Sequence, residues 1–170
     1  MKNRKLQVLL LFGIILLLTA CGKTPEESAK ETIKLARETF EYKPKATNEE
    51  IEGLQVYIPP KFKISNESDQ QNIILTKGKQ PFILFINPNE ASNSKLFYEL
   101  LHANDNLTIL EEEQFTAEND YGFAAVIDYE DEMVELVVNA GGAKISTVTK
   151  STNMHKDVQA MMEIVRSIQL

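Results

Sequence analysis

Hydrophobic and polar positions change their spacing twice along the chain, near residue 21 and near residue 53. An uninterrupted apolar run of 11 residues covers 8–18. Between 24 and 41 a narrow apolar stripe recurs at helical spacing, at Ala29, Ile33, Ala36 and Phe40. From residue 53 on, period-two alternation prevails, which is typical of half-buried strands. The pattern predicts an apolar N-terminal segment, one charged helix and a domain rich in strands.

The charged helix has a clear predicted start. Thr24 is a suitable N-cap, and Pro25 suits the first helical position. Glu26 and Glu27 would face the positive end of the helix dipole. We expect the helix to end near Glu41, shortly before a proline.

The remaining segments predict an order of elements for residues 53–170. A short strand at 53–58 ends at two prolines, and a hairpin joins 72–76 to 81–86. A helix with four apolar residues on one side follows, at Leu96, Phe97, Leu100 and Leu101. Four strands come next, at 107–116, 121–129, 133–140 and 143–150, and a closing helix spans about 154–168.

Short turns between the last four strands indicate an antiparallel meander. We therefore predict an α+β fold: an antiparallel sheet, made of a hairpin plus a four-strand meander, with a middle helix and a C-terminal helix packed on it. The N-terminal helix precedes this domain. We expect the helices to cover one face of the sheet, and we expect the opposite face to be exposed to solvent.

Two segments of this domain resemble the PsbP-like fold of photosystem II extrinsic proteins and small bacterial lipoproteins. Residues 53–62 are similar to its opening segment of glycine, apolar strand, proline and aromatic residue, and residues 162–168 to the end of its closing helix. That family often has a tryptophan near the opening strand, whereas this chain has none, so Phe62 would take its place. The resemblance implies a protein that binds or assembles with other proteins.

The apolar run at 8–18 is too short to be a permanent membrane span, which needs about 20 residues. Lys2, Arg4 and Lys5 precede it, and small residues follow. Basic flank, length and small residues together predict a secretory signal at residues 1–20.

Cys21, the only cysteine, follows this signal directly. Leu18-Thr19-Ala20-Cys21 resembles the lipobox of bacterial lipoproteins at all four positions. The resemblance implies that the Cys21 thiol receives a diacylglycerol, that the signal is cut between Ala20 and Cys21, and that the new amino group is open to acylation, as with palmitate. The alternatives are an ordinary signal peptide with a chance cysteine and a buried cysteine in a short helix.

Charge separates the mature chain into two parts. Residues 22–46 hold six basic and five acidic side chains, whereas residues 47–170 carry a net charge of −11. We predict a lipidated Cys21, tether and charged helix over 21–52, and an acidic domain over 53–170. An acidic domain argues against nucleic acid as a partner.

Candidate catalytic residues are few. His102 is expected at the end of the middle helix, and Ser151 and His155 stand four residues apart near the start of the last helix. No third member or oxyanion site accompanies them, so we predict no catalytic residue.

Asp128, Glu130 and Glu132 alternate like the first ligands of a calcium loop. Met133 stands where an EF-hand loop needs glycine. A solvated turn accounts for these acids, and we predict no metal site and no cofactor.

The sequence thus predicts a lipid-anchored protein of the cell membrane that faces outside the cytoplasm and is not an enzyme. Its domain would be a non-catalytic protein-binding or assembly module. Two alternatives remain open: a small-ligand-binding lipoprotein with an apolar pocket between sheet and helices, and a cell-envelope hydrolase.

Overall fold

The computed structural model describes residues 24–51, 53–68 and 72–168. Its helices are α1 (Pro25–Glu41), α2 (Leu96–His102) and α3 (Met154–Ser167), with a 3₁₀ turn at Ser151–Asn153 before α3. The nine strands of the described residues are β1 (Glu49–Ile51), β2 (Leu54–Val56), β3 (Phe62–Ile64), β4 (Asn72–Lys77), β5 (Gln80–Ile86), β6 (Ile109–Ala117), β7 (Asp120–Asp128), β8 (Met133–Ala140) and β9 (Ala143–Lys150).

Seven strands form one antiparallel sheet in the order β3-β4-β5-β9-β8-β7-β6. β4–β5 is the predicted hairpin and β6 to β9 are the predicted meander. The strand β9 joins the two halves by pairing with β5, Ile83 opposite Ser146. β1 and β2 form a separate two-stranded ribbon. The predicted α+β class is confirmed.

The larger core lies between one face of the sheet and the helices α1 and α3. α1 begins with a capping box between Thr24 and Glu27, and its predicted stripe is buried. Phe40 is fully buried and stacks on Phe115 of β6 at a centroid distance of 5.5 Å. A Cβ at Gly122 of β7 would lie 2.7 Å from the Phe40 ring, so glycine lets α1 approach the sheet closely. The helix that the sequence analysis assigns to a tether therefore packs into the core.

The smaller core lies on the opposite face, under α2. Phe97 of α2 is 5% exposed and packs with Phe123, Ile127 and Val137 of the sheet. The expectation that helices cover one face only is wrong. β7 is apolar at consecutive positions 121–127, so apolar side chains project from both faces of the sheet. Both faces must therefore be covered by helices.

α1 and α3 lie side by side and run in the same direction. Near their N-termini, His155 of α3 lies 3.4 Å from Glu31 of α1. Near their C-termini, the guanidinium of Arg166 lies 4.5 Å from the centroid of the Phe40 ring. The two ends of the domain can therefore be defined by these helices: a first end near Pro25 and a second end near Arg166.

Candidate functional site

A cavity of about 660 Å³ opens at the second end of the domain. Its walls are the 88–92 loop, the β8–β9 turn and the last turn of α3. The loop is fixed to the sheet because Tyr121 donates its N–H to Ser92 O at 2.9 Å, and Asn87 donates to Gly142 O at 2.8 Å. Gly141 has φ +53°, and a Cβ there would lie 2.8 Å from Ser92 Cα, so the close turn requires glycine.

Arg166 is the main cation of this cavity. Its Nη1 donates to Asp120 Oδ2 at 2.6 Å, and its side chain is 12% exposed. Its Nε is buried and has no hydrogen-bond acceptor within the described residues. A largely buried guanidinium beside a half-buried carboxylate, with proline and alanine in the walls, suits a ligand of mixed polar and apolar character.

A row of polar side chains runs along the outer strand β6. His102 Nε2 lies 3.0 Å from Glu112 Oε2, and Tyr98 donates its hydroxyl proton to Glu112 Oε1 at 3.2 Å. Tyr121 donates to Gln114 at 3.1 Å. Burial, with Glu112 nearby, raises the pKa of Tyr98, and burial raises the pKa of Tyr121. Both phenols thus stay protonated donors at neutral pH. The Tyr98 hydrogen bond joins α2 to β6, and the Tyr121 hydrogen bond joins β7 to β6.

The two histidines lie apart from each other in the fold. His102 pairs with Glu112, whereas His155 faces Glu31 of α1. Ser151 donates its backbone N–H to Glu132 O at 3.1 Å and belongs to the 3₁₀ turn before α3. The two histidine side chains thus contact carboxylates of other elements, and Ser151 is joined to β8 through its backbone.

The acidic turn at 128–132 is exposed. Asp131 and Glu132 adopt positive φ angles of 48° and 62°, which turn the chain from β7 into β8. Within residues 24–51, 53–68 and 72–168, no three His, Cys, Asp or Glu side chains are grouped so that they could hold a metal ion.

Sequence reasoning missed a buried polar cluster at the start of α3. Asp157 is fully buried and accepts from Lys77 Nζ, from Gln80 Nε2 at 3.0 Å and from Thr149 Oγ1 at 2.7 Å. These contacts join α3 to the β4–β5 hairpin and to β9. An acid in the first turn of an otherwise apolar helix face is the only sequence signal, and it is equally typical of an exposed position.

The predicted anchor, Cys21, with Ala20 and the apolar run before it, lies outside the described residues. No helix in the described part of the chain is long and apolar enough to cross a membrane. The chain matches no protein-family model and no curated protein sequence.

Proposed function

We propose that the protein is a membrane-anchored lipoprotein that faces outside the cytoplasm and is held through Cys21. The observation that carries this proposal is the sequence Leu18-Thr19-Ala20-Cys21 directly after a basic flank and an 11-residue apolar run. A diacylglycerol supplies two acyl chains, which is what stable anchoring needs, and acylation of the amino group adds a third.

The position of α1 sets how near the membrane the domain would lie. Pro25, the first residue of α1, follows Cys21 by four residues, which span at most about 14 Å when extended. The first end of the domain would therefore rest near the lipid surface. The cavity lies at the second end, so in this orientation it opens away from the membrane.

For the domain itself we propose a non-catalytic protein-binding or assembly module. The ionisable groups that the structure brings together serve to join elements: Asp157 joins α3 to the sheet, and Glu112 joins α2 to β6. The resemblance to the PsbP-like fold suits such a role and remains a prediction. The second candidate is small-ligand binding, which the cavity beside Arg166 favours.

The anchor is tested by metabolic labelling with radioactive palmitate in a bacterial host. We expect label in the wild-type protein and in Thr19→Ser, which keeps a small residue in the lipobox. Cys21→Ala should take up no label and should remain uncleaved or leave the membrane fraction. A labelled, mature and membrane-bound Cys21→Ala protein would refute the proposal.

Ligand binding is tested separately by screening small carboxylic acids and amines for a rise in melting temperature. A true ligand of the cavity raises the melting temperature of the wild type, and Arg166→Met abolishes that rise. If the rise persists in Arg166→Met, the ligand does not bind beside Arg166.

A further inference from the structure

A second cavity, of about 220 Å³, lies between α2 and the sheet beside the smaller core, and we call it the α2 cavity. Val137 of β8 and Ile127 of β7 line it from the sheet, and Phe97 lines it from α2. Leu100, which also lines it, is 57% exposed, so the cavity is open to solvent on that side. Six of its nine lining residues are apolar, and it shares none of them with the cavity beside Arg166.

Two opposite charges reach the α2 cavity from neighbouring strands. Glu135 of β8 and Lys144 of β9 both line it, and both are partly buried. Glu135 is opposite Val148 and Lys144 is opposite Asn139, so the two charged residues are offset by about 13 Å along the strands. The ammonium of Lys144 lies 5.8 Å from the centroid of the Phe97 ring, at the wall of the cavity.

Neither charge is matched by an ion pair or a hydrogen bond within the described residues. The ion pairs found there join other side chains, and Glu135 and Lys144 do not pair with each other. Burial raises the pKa of Glu135, and the attraction of Lys144 offsets only part of that effect. The carboxylate is therefore partly desolvated without a contact that compensates for the lost water, which costs free energy.

These two charges decide which occupant suits the cavity. An apolar side chain of a partner protein would remove more water from Glu135 and Lys144 and would offer neither of them a contact. A simple amine would be attracted by Glu135 but repelled by Lys144, and a simple carboxylate would meet the reverse. A molecule that carries both charges beside an apolar group compensates both residues at once.

The volume of the cavity limits the size of that molecule. Pockets for drug-sized ligands begin at about 300 Å³, so a cavity of about 220 Å³ suits a smaller one. We propose that the α2 cavity binds a free α-amino acid with an apolar side chain. The ammonium group of the ligand contacts Glu135, its carboxylate contacts Lys144, and its side chain lies against Phe97 and Val137. This site goes beyond the proposed function and depends neither on the lipid anchor nor on the cavity beside Arg166.

The test begins with leucine and two analogues that each lack one charge. Isocaproate lacks only the amino group, and isoamylamine lacks only the carboxylate. Binding to the full-length protein in uncharged detergent micelles is measured by isothermal titration calorimetry at neutral pH. We expect leucine to bind about tenfold more tightly than either analogue, because each analogue leaves one charge of the cavity uncompensated. Glycine, which has both charges but no apolar side chain, should also bind more weakly than leucine.

Variants assign each ligand charge to one residue. Glu135→Gln should bind leucine about tenfold more weakly but should keep its affinity for isocaproate, which has no amino group. Lys144→Met should likewise lose affinity for leucine and keep it for isoamylamine. The matched controls, Glu49→Gln on β1 and Lys63→Met on β3, make the same changes at exposed positions and should bind leucine like the wild type. Circular dichroism of each variant separates lost binding from lost folding.

Four results would overturn the proposal. The folded wild type could bind none of leucine, valine and phenylalanine. Isocaproate or isoamylamine could bind as tightly as leucine, which would mean that the cavity recognises apolar surface alone. Glu135→Gln and Lys144→Met could both bind leucine like their controls. Leucine binding that is lost in Arg166→Met but kept in Glu135→Gln would place the ligand in the other cavity.

Discussion

Truncation of Phe40 tests whether α1 belongs to the folded domain or to a separate tether. Phe40 is fully buried, stacks on Phe115 and lies under the guanidinium of Arg166. Removing a buried phenylalanine ring costs about 3–5 kcal/mol through lost transfer energy and the cavity left behind. Phe40→Ala should therefore lower the free energy of unfolding by about 4 kcal/mol. This is a large part of the whole free energy of unfolding of a typical single domain.

The assay is thermal unfolding followed by circular dichroism. For a chain of this size, about 4 kcal/mol corresponds to a fall in melting temperature of about 8–16 °C. Tyr42→Ala is the matched control, because Tyr42 is an aromatic residue two positions further on and is 73% exposed. We expect it to change stability by less than about 0.5 kcal/mol. If Phe40→Ala melts within about 2 °C of Tyr42→Ala, α1 does not contribute to the core and the packing described above is wrong.

Two further predictions concern ionisable groups. Asp157→Ala should cost about 3 kcal/mol, because it leaves Lys77 half-buried without its carboxylate; combining it with Lys77→Met should restore at least half of the loss, measured by urea unfolding. If the double variant is no more stable than Asp157→Ala alone, the ion pair is not the cause. Burial raises the pKa of Glu135 despite the attraction of Lys144, so the folded state binds this proton more tightly than the unfolded chain does. The cost of keeping Glu135 ionised is therefore present at neutral pH and disappears as pH falls through its raised pKa. Glu135→Gln should melt above the wild type at about pH 7, and the difference should shrink towards about pH 4; a difference that does not change with pH contradicts this assignment.

Local patterns predicted most of the elements, because strand alternation and helix caps depend on neighbours in sequence. The strands of the meander, the β4–β5 hairpin and the N-cap at Thr24 are such cases. The role of α1 was harder to predict. Ala29 and Ala36 make its stripe narrow, and the close approach of Phe40 to the sheet depends on Gly122, far along the chain.

Contacts between distant segments could not be predicted from local patterns. The pairing of β5 with β9 joins residues about 60 positions apart, and the contact of Lys77 with Asp157 joins residues 80 positions apart. The cavity is built from three turns whose meeting depends on that same strand order.

The central claim is that Cys21 becomes the lipid-bearing first residue of the mature protein. Mass spectrometry of the N-terminal peptide from the membrane fraction tests it most directly. We predict a peptide that begins at Cys21 and carries the added mass of a thioether-linked diacylglycerol, with or without a further acyl group. An unmodified Cys21 in a membrane-bound protein, or a mature chain that begins at another residue, would contradict the account.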